Sequence, residues 1–232
     1  MTNQNKRAIP GCKAMSKDGF WNLIAEVKAA CGQDQDRYMN MLKNRLKELG
    51  PDHAQDFHDI VRAYEDLAYK YGLWSASGLM DHATDDSFID FRSWLISQGK
   101  EAYFAALKDP DSLADLDSGD GLWFESFAYV GYYALKELTG EDAFDNISGD
   151  NRRMTKEFLK ADIEYNEGIN YPYEALDLPD YFPRLYQKFV EPEQRLSCIN
   201  CWNYDDPAIR EARLAGPPPK PESKNILEMG GM

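Results

Sequence analysis

Apolar residues recur every three to four positions over most of the first 140 residues. Between Ser16 and Gly32, Phe20, Ile24, Val27 and Cys31 fall at i, i+4, i+7 and i+11, one stripe of a helix. Ser16 stands at the N-cap position and Gly32 closes the run. "DRYMNMLKNRLKELG" repeats the pattern through Tyr38, Met41, Leu42, Arg45 and Leu49, with its basic residues outward. Gly50-Pro51 stops one helix and opens the next, with proline at the first helical position. In that next helix Phe57, Ile60, Val61, Tyr64, Leu67, Ala68 and Tyr71 share a side, and Gly72 ends it. His53 and His58 are placed on an exposed stretch of it.

"LWSASGLM" reads as a short helical connector. "HATDDSFIDFRSWLISQGK" reads as a helix with Phe88, Phe91 and Leu95 on one face and Gly99 as its stop. "KEAYFAALKD" starts another helix, and "DPDSLADLDSGDG" is a turn-rich, solvated acidic loop. "LWFESFAYVGYYALKELTG" reads as one long helix, with Trp123, Phe127, Val130, Ala134 and Leu138 along a stripe, and its aromatic run Trp123, Phe124, Phe127, Tyr129, Tyr132 and Tyr133 reads as mostly core. No alternating run long enough for a strand occurs before residue 145. The pattern therefore predicts an all-α fold, a helical bundle of αα-hairpins.

After Gly140 the texture becomes acidic and aromatic, and "LPDYFPRLYQKF" reads as a helix. The expected organisation is a flexible N-terminus over 1–15, a helical core over 16–145, an irregular acidic and aromatic C-terminal arm over 146–214 packed on that core, and a disordered Pro/Gly-rich tail over 215–232.

Charge changes this picture more than composition does. With 232 residues, 43% of them hydrophobic, a chain of this size buries roughly 70% of its unfolded surface and needs neither disulfide nor metal to fold. The net charge is −14, and it is local: residues 81–180 carry eight Lys or Arg against 23 Asp or Glu, whereas 1–80 and 181–232 are nearly balanced. Phosphate-binding clusters are lacking, which disfavours nucleic acid, and an anionic membrane is disfavoured for the same reason. A cationic protein partner is favoured. The N-terminal residues show no secretory pattern, and nothing approaches a membrane-spanning length. With four cysteines and these features, a cytoplasmic setting is expected.

Candidate chemistry is sparse. Asp85 or Asp86, ahead of the apolar run, suits a helix N-terminus, where a carboxylate accepts orphan N–H groups. Asp86 and Asp90, four apart, could with a third oxygen ligand hold Mg²⁺, and a metal-assisted enzyme working through Asp85, Asp86 and Asp90 is a second alternative. Cys198-x-x-Cys201 is half of a zinc site without a second half. The acidic loop fails the calcium pattern, since Asp120 falls where glycine is needed. Glycine-rich phosphate loops, a GxSxG elbow and HExxH are absent from the sequence. No cofactor and no resident metal are expected.

"FWNLIAEVKAA", "YGLWSASGLMDHATDDSFIDFRSWLISQGKEAYFAALKDPDSLADL" and "FESFAYVGYYALKELTGED" resemble a bacterial family catalogued as domain of unknown function 4240, over roughly residues 18–143. The resemblance implies an α-helical fold and no established activity. Where members carry a double glycine before the paired aspartates, this chain has Asp81-His82-Ala83-Thr84.

The leading expectation is a non-catalytic binding protein that occludes a cationic protein, most concretely an immunity protein neutralising a toxin. Asp111, Asp115, Asp117 and Asp120 of the acidic loop, with Tyr173 and Tyr181 of the arm, are the expected contacts. A regulatory or adaptor domain for another protein is the alternative.

Overall fold

Several helices here begin at a side chain or a proline that deals with the orphan N–H groups, and several end at glycines with positive φ. The computed structural model describes residues 9–80, 84–117, 122–146, 149–165 and 178–189. Ser16 caps α1 (Lys17–Cys31), its Oγ accepting the Gly19 N–H at 3.1 Å. Asp34 caps α2 (Gln35–Leu49) through the Arg37 N–H at 2.9 Å, and Pro51 opens α3 (Pro51–Leu67). Then follow α4 (Tyr71–Leu79), α5 (Asp85–Ser97), α6 (Lys100–Lys108) and a 3-10 helix (Pro110–Asp115). The chain continues through α7 (Glu125–Ala128), α8 (Val130–Thr139), α9 (Gly149–Lys160), α10 (Leu178–Tyr181) and α11 (Pro183–Phe189). Among the described residues there is no strand, so the fold is all-α, as the periodicity predicts. None of these helices is long and apolar enough to cross a membrane.

The chain forms two compact units, each assembled from separated segments. Of the described residues, the first takes 9–69, 89–103, 122–146 and 149–163. Its centre is an aromatic cluster in which Phe20 meets Trp21, Phe57 and Tyr64 at ring distances of 4.9, 5.0 and 5.5 Å. The polar tips are satisfied inside: Trp21 Nε1 donates to the Tyr64 hydroxyl at 3.2 Å, and the Tyr103 hydroxyl donates to the Tyr64 carbonyl at 2.7 Å. Burial of these rings, at about 1.5–3 kcal/mol each, is the main force holding α1 on α3. Of the described residues, the second unit takes 70–80, 84–88, 104–117, 164–165 and 178–189. Within it Trp74 stacks on Phe88 at 5.4 Å, while Leu113, Phe182 and Leu185 are fully buried.

Four expectations need correction. The long helix expected over residues 122–140 is broken at Tyr129 into α7 and α8, and Trp123 lies outside both, 51% exposed. Phe124, just ahead of α7, and Phe127 within it both pack on Tyr38, at 5.5 and 6.1 Å. α3 ends at Leu67 instead of Gly72, which lies inside α4. Residues 9–15 are fixed, not flexible: Ile9 and Met15 are buried, and Asp56 of α3 accepts the N–H groups of Lys13, Ala14 and Met15 at 2.6–3.0 Å. The arm expected over 146–214 is in its described part mostly helical, and α9 packs on α3 in the first unit. The expected tail at 215–232 lies outside the described residues.

Candidate functional site

α3 is covered by α2, α8 and α9, and its covered surface is unusually polar. Gln55, Asp56, His58, Asp59 and Glu65 are all buried along it. α8 comes close to it at Gly131. A Cβ at that position would stand 2.7 Å from the Ala54 carbonyl oxygen and 2.8 Å from the His58 nitrogen. Both are backbone atoms, so neither can step aside alone. Gly131→Ala is therefore expected to lower stability by about 2 kcal/mol, overpacking outweighing the better helix propensity of alanine. The shift in a urea unfolding midpoint measures it; an unchanged midpoint would show that the two helices slide apart without cost.

Because α8 sits this close, the side chains flanking Gly131 spread over the rim of α3. Tyr129 and Tyr132 are half-buried and Tyr133 is 45% exposed. α8 then ends at Gly140 in the left-handed region, and the following turn is pinned from several sides. Thr139 Oγ1 accepts the Glu141 N–H at 3.0 Å, Asp142 Oδ1 accepts the Phe144 N–H at 2.9 Å, and the buried Ala143 carbonyl accepts Gln55 Nε2 at 3.0 Å. The turn drives Ala143 inward and leaves Phe144 at the surface, 42% exposed.

Phe144 joins the tyrosines in one patch. Its ring lies 5.7 Å from Tyr132 and 6.3 Å from Tyr129, and Tyr132 lies 5.3 Å from Tyr133. Underneath, the His58 ring meets Phe144 edge-on at 4.6 Å. The Arg62 guanidinium lies 5.1 Å from the Tyr129 ring and 5.2 Å from Phe144, and donates to Glu65 Oε2 at 2.9 Å. Three buried atoms on this face, Gln55 Oε1, His58 Nδ1 and Arg62 Nε, make no hydrogen bond with the described residues. Burial first, and then the charges of Arg62 and Arg152, hold His58 down at about 4. Burial pushes Asp59 up to about 7, against the hydrogen bond from Gln55. His58, expected on an exposed stretch, is thus 2% exposed, because α8 and the turn after it cover that side of α3.

The expected contact residues fare differently. Asp111 is 6% exposed, and its two oxygens accept the N–H groups of Arg184 and Leu185 at 3.1 and 2.9 Å. It serves the first turn of α11, not a solvated loop, and the segment around it is a 3-10 helix. Asp115 pairs with the Arg184 side chain. Asp117 is exposed and Tyr181 half-buried in the same unit. Asp120 and Tyr173 lie outside the described residues, as do Cys198 and Cys201.

At the start of α5 the cap is Thr84. Its Oγ1 accepts the Ser87 N–H at 3.1 Å, and Ser87 Oγ accepts the Thr84 N–H at 3.1 Å, a reciprocal capping box with serine in the usual Glu position. The hydroxyl pair displaces Asp85 and Asp86 from the cap role; both stay exposed in the first turn, where they meet the helix dipole. Thr84→Ala should cost about 1 kcal/mol and Asp86→Ala less than half of that, read from chemical denaturation. Among the described residues no three His, Cys, Asp or Glu side chains come together to hold a metal, and this includes Asp86 with Asp90. A cleft lined by Lys28, Tyr38, Trp94, Gln98 and Phe124 measures about 10 Å³, roughly the room of one water.

A family model described as "Protein of unknown function (DUF4240)" matches residues 15–144. The chain belongs to the DUF4240 family. No curated protein and no solved structure matches it. The DUF4240 match ends on Phe144 and so includes the whole aromatic patch, whereas α9 lies beyond it. Of the patch, the sequence pattern alone points to the aromatic run at 123–133 but reads it as core; Phe144 carries no periodic signal.

Proposed function

We propose that this chain is a non-catalytic binding protein that docks on a basic protein and occludes it, in its most concrete form an immunity protein that neutralises a toxin. The observation that carries the reading is the surface aromatic patch of exposed Tyr133 and Phe144 with half-buried Tyr129 and Tyr132, set in the acidic part of the chain. Rings of this size at a surface supply large contact area at small entropic cost, and a surround of one charge sign steers an opposite partner. Glu141, Asp142 and Asp145 occupy the same turn as Phe144. The acidic 3-10 segment is a weaker candidate surface, since Asp111 and Asp115 already bind α11.

The test begins with the partner identified by co-purification from the native host. Its binding kinetics are then measured at about 0.1 M and 1 M salt, where the Debye length falls from about 10 to 3 Å. Tyr133→Ala and Phe144→Ala should each speed dissociation at least tenfold, and salt should slow association of the wild type. Circular dichroism controls for folding. A partner whose dissociation ignores both substitutions would defeat this reading.

A further inference from the structure

Resting on that reading, we propose that the Tyr132–Phe144 surface recognises an arginine side chain of the protein partner. The faces of these rings carry negative quadrupole potential, and the patch already takes a guanidinium on its inner side. Arg62 lies against both Tyr129 and Phe144, at 5.1 and 5.2 Å, in the geometry an incoming arginine needs on the outer side. A cation also reaches Tyr132: Lys136, on the exposed side of α8, stands 5.8 Å from its ring.

Carboxylates complete the site. Asp142 turns the chain so that Phe144 points out, and Glu141 and Asp145 are exposed on either side of that residue. A guanidinium is planar, so it can lie on a ring and still donate in its plane to a neighbouring carboxylate. An ammonium is a hydrated point charge and cannot do both equally well. Rings alone would take any apolar group and carboxylates alone any cation; rings and carboxylates in one turn select arginine over lysine.

The probe is a pair of seven-residue peptides that alternate glycine with either arginine or lysine, titrated into the isotopically labelled full chain. NMR follows the ring resonances of Phe144 and Tyr132. The arginine peptide should bind at least fivefold more tightly than the lysine peptide and shift both rings. Phe144→Ala should abolish the shift, Phe144→Tyr should keep it, and Asp145→Asn should weaken it two- to fivefold. Equal affinity for the two peptides, or shifts confined to other residues, would overturn the assignment. So would concentration-dependent self-association that Phe144→Ala removes in analytical ultracentrifugation, because the occupant would then be a second copy of this chain. If the whole partner needs Phe144 while the peptides bind alike, the arginine assignment falls and the docking reading stands. If the partner ignores both Tyr133→Ala and Phe144→Ala, the docking reading falls whatever the peptides do.

Discussion

Asp56→Ala is expected to remove about 4 kcal/mol of stability and to release residues 9–15 from the surface of α3. Asp56 is buried, and its two oxygens receive the backbone N–H groups of Lys13, Ala14 and Met15. A hydrogen bond to a charged acceptor is worth about 1.5–3 kcal/mol, and a buried donor stripped of its acceptor costs about 1–3 kcal/mol. The three bonds share one carboxylate, so their contributions do not simply add. Asp56→Asn keeps one accepting oxygen and should lose about half as much. Urea unfolding supplies the free energy, and hydrogen exchange at the amides of residues 13–15 supplies the location. A loss below about 1 kcal/mol would mean that the packing of Ile9 and Met15 alone holds the segment.

The second large effect is hidden in the wild type and appears on substitution. Asp59 and His58 are neighbours on α3 with opposed shifts. Asp59 is pushed from 3.8 up to about 7 by burial and by the nearby Asp56, against Gln55, Arg152 and Lys13. The folded state therefore holds a proton there that the unfolded state loses, and stability falls as pH rises from about 4 to 7. His58 is held from 6.5 down to about 4 by burial, Arg62 and Arg152, against Asp142. The unfolded state binds that proton first, so stability rises as pH goes from about 4 to 6.5. In the wild type the two slopes nearly cancel over that window.

Asp59→Asn leaves the histidine slope alone. Stability should then climb by about 1.4 kcal/mol per pH unit, roughly 3 kcal/mol between pH 4 and 6.5. His58→Leu should produce the reverse, a decline of similar slope up to about pH 7. Glu137, held down at about 2 by hydrogen bonds from Lys43 and Lys47, acts mainly at more acid pH and leaves the window clean. Denaturation midpoints at half-unit steps of pH measure all three proteins. Parallel curves for the two variants would show that neither residue titrates as its surroundings require.

Much of the fold was legible because the signals are local. The stripe from Phe20 to Cys31, the Ser16 cap and the Gly50-Pro51 junction each depend on residues within a turn or two. The misread features depend on distant partners. His58 looks solvent-facing until α8 covers it, and α8 can cover it only because Gly131 has no side chain. Asp111 reads as one more acid in a polar loop until the N-terminus of α11, more than 70 residues on, arrives against it. The aromatics at 129–133 read as core because type and spacing record hydrophobicity, not which side of a helix lacks a neighbour. Thr84 was masked by two adjacent aspartates, which are equally good caps on residue type alone.

The polar character of α3 bears on how the molecule is made. On the ribosome α3 is complete once residue 67 has emerged, yet α8 and α9 follow only some 60–90 residues later. An apolar flank would spend that interval exposed to aggregation. His58 and Asp59 keep that flank hydrated instead, and their water leaves when the late helices close over them. What looks in the finished structure like an awkward interior is a nascent chain's means of staying soluble while it waits.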